Sequence, residues 1–133
     1  MSWFLDTNVL LRFLTGDDKQ KASACAALFQ RAATGEVDLF VSDVCIAELV
    51  WTLDSFYELP REEIADKLVA VANTPGFTFT DVHILLDATA RYRQFNVDFA
   101  DAYHAACAHA AGKKVCSYDR DFDRFGDVER VEP

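Results

Sequence analysis

Short apolar segments alternate along the chain with longer segments in which apolar residues recur every three or four positions. The short segments are typical of buried strands, and the longer ones are typical of amphipathic helices. The short segments lie at residues 3–5, 39–41, 77–79, 114–117 and 128–131. Because short strands alternate with helices, we predict an α/β fold in which a short parallel sheet of four to five strands is flanked by helices on both faces.

Capping residues and helical periodicity predict six helices. Ser42 or Asp43 is expected to cap one helix, and Asp98 is expected to cap another that is rich in alanine. The residues predicted to face the core after Ser42 recur at helical spacing and are Cys45, Ile46, Leu49, Val50 and Leu53. The helices are predicted at 8–14, 19–34, 43–56, 61–73, 82–95 and 99–111.

The composition is that of one folded domain, which we predict to span residues 1–133. Apolar residues make up 51% of the chain and eleven residues are Phe, which argues against intrinsic disorder. No signal peptide and no membrane span are expected, since no apolar run approaches the roughly 18 residues that a span needs. Four cysteines without metal-site or disulfide spacing predict free thiols in a reducing cytoplasm: Cys25, Cys45, Cys107 and Cys116.

The net charge of −9 excludes one simple class of function. A protein that holds nucleic acid mainly through counterion release should be basic, and this chain is acidic. Two interpretations remain open and are compatible with each other. Clustered carboxylates could bind cations, or the acidic surface could bind a basic partner.

Four acidic residues are expected at the carboxyl edge of the predicted sheet. Asp6 and Asp119 end strands there, while Glu48 and Asp101 lie in early turns of helices that leave the same edge. Two carboxylates roughly 4 Å apart repel by about 4 kcal/mol at an effective dielectric near 20. Mg²⁺ or Mn²⁺ would offset that charge with oxygen ligands, and such ions support phosphodiester hydrolysis. We therefore expect the four carboxylates to frame a metal site.

Each of these residues also has a plainer interpretation. Asp119 begins the charged run 119–124, which could be a solvated turn, and Glu48 could face solvent. Asp98 is interpreted as a helix cap, and His104 as a surface or packing residue. A receiver-type domain with a phospho-acceptor aspartate is disfavoured, because the first strand ends in a single acidic residue.

Four segments together resemble the PIN-domain ribonucleases, and specifically the VapC-type toxins of bacterial toxin–antitoxin pairs. They occur in the order and at the separations usual in that family, so the resemblance covers nearly the whole chain. The segments are Phe4-Leu5-Asp6-Thr7-Asn8-Val9-Leu10-Leu11-Arg12, Ser42-Asp43-Val44-Cys45-Ile46-Ala47-Glu48-Leu49-Val50-Trp51, Asp98-Phe99-Ala100-Asp101-Ala102-Tyr103-His104-Ala105-Ala106 and Cys116-Ser117-Tyr118-Asp119-Arg120-Asp121-Phe122.

The resemblance implies a three-layer PIN-like fold and an endoribonuclease that uses Mg²⁺ or Mn²⁺ and a metal-activated water to cleave RNA. It assigns catalytic and metal-binding roles to an acidic quartet, which consists of Asp6, Glu48, Asp101 and Asp119. It gives Asn8 a supporting role beside the first aspartate. Thr7 and Ser117 each neighbour one of the two strand-end aspartates, and we expect each hydroxyl to bond that aspartate or a bound water.

The resemblance also implies partners: an RNA substrate, a small antitoxin protein that silences the toxin, and a second copy of the chain in a homodimer. An acidic pocket suits a basic side chain from an antitoxin. Arg12 and Arg120 are the cations predicted to contact RNA, although pairing with nearby aspartates is an equal alternative; Arg91 is another available cation. A rival from another class is a catalytically inactive PIN-like module that only binds a partner. The intact acidic positions argue against that rival.

Overall fold

The computed structural model describes the whole chain, Met1–Pro133. It separates into two compact units, residues 1–82 and 83–133. No helix in it is long and apolar enough to cross a membrane. That the two units make one domain stays a prediction.

The first unit contains three strands and four helices. In chain order these are β1 (Ser2–Phe4), α1 (Thr7–Thr15), α2 (Lys19–Ala33), β2 (Asp38–Val41), α3 (Asp43–Ser55), α4 (Arg61–Ala72) and β3 (Phe77–Phe79). The strands form one parallel sheet in the order β1-β2-β3. The carboxyl ends of β1 and β2 therefore lie side by side, and α1 and α3 start just beyond them.

Helix α3 forms as its sequence predicts. The Ser42 hydroxyl caps it by accepting a hydrogen bond from the backbone N–H of Cys45 at 3.1 Å. All five residues predicted to face the core are buried, namely Cys45, Ile46, Leu49, Val50 and Leu53. This buried face fixes the rotation of the helix, so that Val44 and Glu48 lie on its exposed side.

Strand β1 differs from its prediction as a buried strand. Trp3 is 41% exposed and Phe4 is 72% exposed, whereas Leu5, just after the strand, is buried. The reason is that β1 is an edge strand of the three-stranded sheet and has β2 as its neighbour on one side only. Partial cover comes from the Arg31 guanidinium over the Trp3 ring and from Phe40 against Phe4.

The second unit contains the remaining elements. They are α5 (Val82–Gln94, whose first residue belongs to the first unit), α6 (Phe99–Ala111), β4 (Val115–Cys116), a 3₁₀ helix (Arg120–Arg124) and β5 (Arg130–Val131). Strands β4 and β5 form a separate two-stranded sheet, again parallel. The predicted α/β class with parallel strands is confirmed, but the five strands form a three-stranded and a two-stranded sheet instead of the single sheet that was predicted. The charged run for which a solvated turn was one alternative forms a 3₁₀ helix, and Phe122 and Phe125 bury their side chains against the unit.

Arg91 is not the available cation that the sequence suggested. It is buried, and its guanidinium donates to both carboxylate oxygens of Asp127 at 2.7 and 2.6 Å and to Asp87 at 3.1 and 3.2 Å. It also lies over the Phe125 ring. Because both of its charged partners are within the same unit, Arg91 holds the C-terminal segment on α5 instead of facing solvent.

Asp98 stands at the N-cap position of α6, as predicted, but its side chain makes no capping hydrogen bond. The predicted position of Asp98 is therefore confirmed, but the predicted capping hydrogen bond of its side chain is not formed. The negative charge of the Asp98 carboxylate is instead one of the causes that raise the pKa of Asp101.

Candidate metal centre

A cavity of about 400 Å³ in the first unit is lined by Asp6 and Glu48. Asp6 caps α1, and its carboxylate accepts a hydrogen bond from the backbone N–H of Asn8 at 3.3 Å. Glu48 reaches the same cavity from the second turn of α3, and its Oε1 accepts a hydrogen bond from the Thr7 hydroxyl at 3.3 Å. The turns from β1 to α1 and from β2 to α3 thus bring the carboxylates of Asp6 and Glu48 to the same cavity.

Of the two predicted supporting residues at this cavity, Asn8 contacts the expected aspartate and Thr7 contacts a different carboxylate. Thr7 is buried, and its hydroxyl donates to Glu48, a residue distant in sequence, instead of to the adjacent Asp6. Asn8 supports Asp6 through its backbone N–H. Sequence adjacency therefore identified the supporting residues of this cavity without identifying the partner of Thr7.

Cys45 lines the same cavity, and sequence reasoning assigned it only to the core. Burial raises the pKa of its thiol, the hydrogen bond with Thr7 lowers it, and the negative charges of Glu48 and Asp6 raise it further. A raised thiol pKa keeps the group protonated and disfavours thiolate chemistry. The chemistry of this cavity is consequently that of its carboxylates.

A second cavity, of about 450 Å³, lies in the second unit and is lined by Asp101, His104, Cys116, Ser117 and Asp119 among others. Asp101 projects from the first turn of α6, and Asp119 begins the 3₁₀ helix. With Asp121 they form a cluster in which one carboxylate oxygen of each residue lies within 4.8 Å of the others. These three residues are called the acidic cluster, Asp101–Asp119–Asp121, and two of them line the second cavity.

The electrostatics of the acidic cluster favour a bound cation. Burial raises the pKa of Asp101, and the charges of Asp119, Asp98 and Asp121 raise it further, with His104 acting in the opposite sense. The raised pKa means that burial and the neighbouring negative charges make the ionised form of Asp101 less favourable. A divalent ion with a preference for oxygen ligands, such as Mg²⁺ or Mn²⁺, would relieve that repulsion. The donor set therefore fits such an ion.

Asp121 is the residue that sequence reasoning missed. It is close to Asp119 because the backbone N–H of Asp121 donates to Asp119 Oδ1 at 2.9 Å. Ser117 braces the same turn by accepting a hydrogen bond from the backbone N–H of Asp119 at 2.9 Å. An Asp-x-Asp sequence just after a predicted strand was the available signal, but only Asp119 was singled out from the charged run 119–124. His104, assigned to surface or packing, also lines this cavity.

The two cations predicted to contact RNA have different surroundings. Arg12 forms an ion pair with Asp17 at 3.3 Å, the alternative that the sequence left open. Asp17 also accepts a hydrogen bond from Tyr57 at 2.7 Å, so this pair belongs to a local network. Arg120 is exposed at the start of the 3₁₀ helix, between two members of the acidic cluster.

The model of the PIN domain family matches residues 3–128, a range that includes every acidic residue of both cavities. This chain belongs to the PIN domain family. A VapC ribonuclease of Aquifex aeolicus (strain VF5) is similar to it, with 30% identity over 123 residues that cover 92% of this chain and 90% of that protein. The predicted resemblance to VapC-type PIN domains is therefore confirmed, and with it the three-layer α/β fold class.

Proposed function

We propose that this PIN domain is a Mg²⁺- or Mn²⁺-dependent endoribonuclease and the toxin of a toxin–antitoxin pair. The observation that carries the proposal is the acidic cluster Asp101–Asp119–Asp121, whose oxygens lie within 4.8 Å of one another. Family membership and the similarity to a VapC ribonuclease support RNA as the substrate. Hydrolysis of a phosphodiester is the reaction that such a donor set suits.

The proposed catalytic and metal-binding residues are Asp6, Glu48, Asp101 and Asp119, with Asp121 as an additional metal ligand beside Asp101 and Asp119. A bound Mg²⁺ or Mn²⁺ would supply an activated water and stabilise the charge that develops on the leaving oxygen. The chain's own contribution is to hold the carboxylates in place. Thr7 fixes the direction of the Glu48 carboxylate through its hydroxyl, and Ser117 fixes the backbone at Asp119.

Arg120 is the better of the two proposed RNA contacts. It adjoins Asp119 and is exposed, so its guanidinium is placed to pair with a phosphate near the acidic cluster. Arg12 is already paired with Asp17, and that ion pair would have to open before Arg12 could bind RNA. With a net charge of −9, the protein has few cations to spare for the phosphate backbone.

The partners are part of the same proposal. A small antitoxin with a basic side chain suits the acidic cavities, and a homodimer is proposed from the resemblance to VapC-type proteins. The first unit carries large exposed apolar side chains that a protein partner could cover, including Trp3, Phe4, Val44 and Trp51. Free cysteines suit a reducing compartment, and we propose the cytoplasm.

The decisive experiment is RNA cleavage with and without added Mg²⁺ or Mn²⁺. Asp6→Asn and Asp101→Asn should each reduce cleavage at least about a hundredfold, because even residues that only orient metal ligands are worth about 10–100-fold. Asp54→Asn and Glu129→Gln are matched controls, since both acidic residues are exposed and line neither cavity. Undiminished cleavage by either test variant would overturn the assignment. A wild-type protein that cleaves no RNA but binds an antitoxin would favour the inactive binding module.

A further inference from the structure

The turn that carries Asp119 and Asp121 is held only weakly by its own backbone. Strands β4 and β5 pair through two residues each. Within the 3₁₀ helix, the N···O distances are 3.4 Å from Phe122 to Asp119 and 3.3 Å from Phe125 to Phe122. Both distances exceed the roughly 2.7–3.2 Å of a good N–H···O hydrogen bond. Other contacts must therefore fix this turn.

Arg130, on β5, bonds to the chain on both sides of the turn. Its Nη1 donates to the backbone carbonyl of Ser117 at 3.0 Å, just before Asp119. Its Nε and Nη2 donate to the two carboxylate oxygens of Asp123 at 2.9 and 3.2 Å, just after Asp121. Its side chain is only 13% exposed, whereas that of Asp123 is 52% exposed, so the bond to the Ser117 carbonyl is better protected from water than the pair with Asp123.

We propose that Arg130 is a positioning residue for the metal ligands Asp119 and Asp121. It contacts neither carboxylate and acts through Ser117 and Asp123, which bracket the two ligands in sequence. The inference rests on the proposed function to the extent that Asp119 and Asp121 bind the ion. Residues that orient metal ligands in this indirect way are typically worth about 10–100-fold in metal affinity.

The planar guanidinium is what makes this role possible. A single rigid group donates in two directions, to a carbonyl on one side and to a carboxylate fork on the other. A lysine at the same position would keep the charge, but its ammonium is a point donor on a flexible stem. Arg130→Lys should therefore keep either the bond to the Ser117 carbonyl or the pair with Asp123, but not both.

The competing explanation is that the buried Phe122 ring alone anchors the 3₁₀ helix. In that case Arg130 would contribute to stability at most, and the ligand geometry would not depend on it. The two explanations differ in what happens to metal affinity in a protein that is still folded.

The test compares Arg130→Ala and Arg130→Lys with wild type by two measurements: Mn²⁺ affinity, from electron paramagnetic resonance of free Mn²⁺, and amide hydrogen exchange in metal-free protein. Arg130→Ala should weaken Mn²⁺ binding at least about tenfold and speed exchange at Asp119 and Asp121. Arg130→Lys should fall between Arg130→Ala and wild type. Lys114→Ala is the control, because Lys114 pairs with Glu129 beside the same two strands; it should leave both measurements unchanged.

Folded Arg130→Ala protein with wild-type Mn²⁺ affinity, or with unchanged exchange at Asp119 and Asp121, would overturn the inference. If Arg130→Ala does not fold, Arg130→Lys and Asp123→Asn decide in its place, since each removes only part of the attachment. Failure of the proposed function has a different signature. In that case wild-type protein itself would bind no Mn²⁺, and both proposals would fall together.

Discussion

Asp101 in the second unit has a different environment from Asp6 and Glu48 in the first unit. In the first unit, Asp6 and Glu48 each accept a hydrogen bond from a neutral donor, the N–H of Asn8 and the hydroxyl of Thr7. In the second unit, the pKa of Asp101 is raised by burial and by neighbouring carboxylates. Asp6 and Glu48 are thus held by hydrogen bonds, whereas burial and neighbouring negative charges make the ionised form of Asp101 less favourable. From this difference we propose that the acidic cluster is the primary cation-binding element.

The largest expected effect is on metal affinity. Asp101→Asn should weaken Mn²⁺ binding by about a hundredfold or more, because it removes a half-buried ligand from the acidic cluster. Asp6→Asn should weaken binding by about tenfold. Calorimetric titration of both variants beside Glu129→Gln measures the difference. Equal losses of Mn²⁺ affinity, or a larger loss for Asp6→Asn, would contradict the comparison. The carboxylates of the first unit would then be the main cation-binding residues.

A smaller effect is expected on the pH dependence of stability in metal-free protein. Because the pKa of Asp101 lies above its ordinary value of 3.8, the folded state holds that proton more tightly than the unfolded state does. Stability should therefore fall as pH rises through the interval between 3.8 and the raised pKa. Asp101→Asn should lack this fall and melt higher than wild type above that interval. Parallel melting curves for the two proteins from pH 3 to pH 7 would contradict the comparison.

The smallest effect concerns the two helix caps near the cavities. Ser42→Ala should lower the free energy of unfolding by about 1 kcal/mol, because Ser42 makes its capping bond with Cys45. Asp98→Ala should change it by less than about 0.5 kcal/mol, because Asp98 makes none. Urea unfolding of the two variants compares them directly. A loss for Asp98→Ala as large as that for Ser42→Ala would restore the capping role that the sequence suggested.

What the sequence could predict was local. The buried face of α3 follows from apolar residues at helical spacing, and the order of strands and helices follows from alternation of short and long apolar segments. The acidic residues were found because strand ends and first helical turns are recognisable positions. The family resemblance added their roles.

What the sequence could not predict depends on contacts between distant segments. The exposure of Trp3 and Phe4 follows from the edge position of β1, which apolar content does not encode. Arg91 is buried by pairing with Asp127, 36 residues away. Asp121 joins the acidic cluster only because the segment after Asp119 forms a 3₁₀ helix instead of an extended chain.

The central proposal is that the acidic cluster Asp101–Asp119–Asp121 binds a divalent cation. The most direct test is a crystal of the protein soaked in Mn²⁺, with the ion located by its anomalous scattering. The account predicts Mn²⁺ bound by Asp101, Asp119 and Asp121. Mn²⁺ bound only elsewhere on the protein, or no bound Mn²⁺ at all, would contradict it.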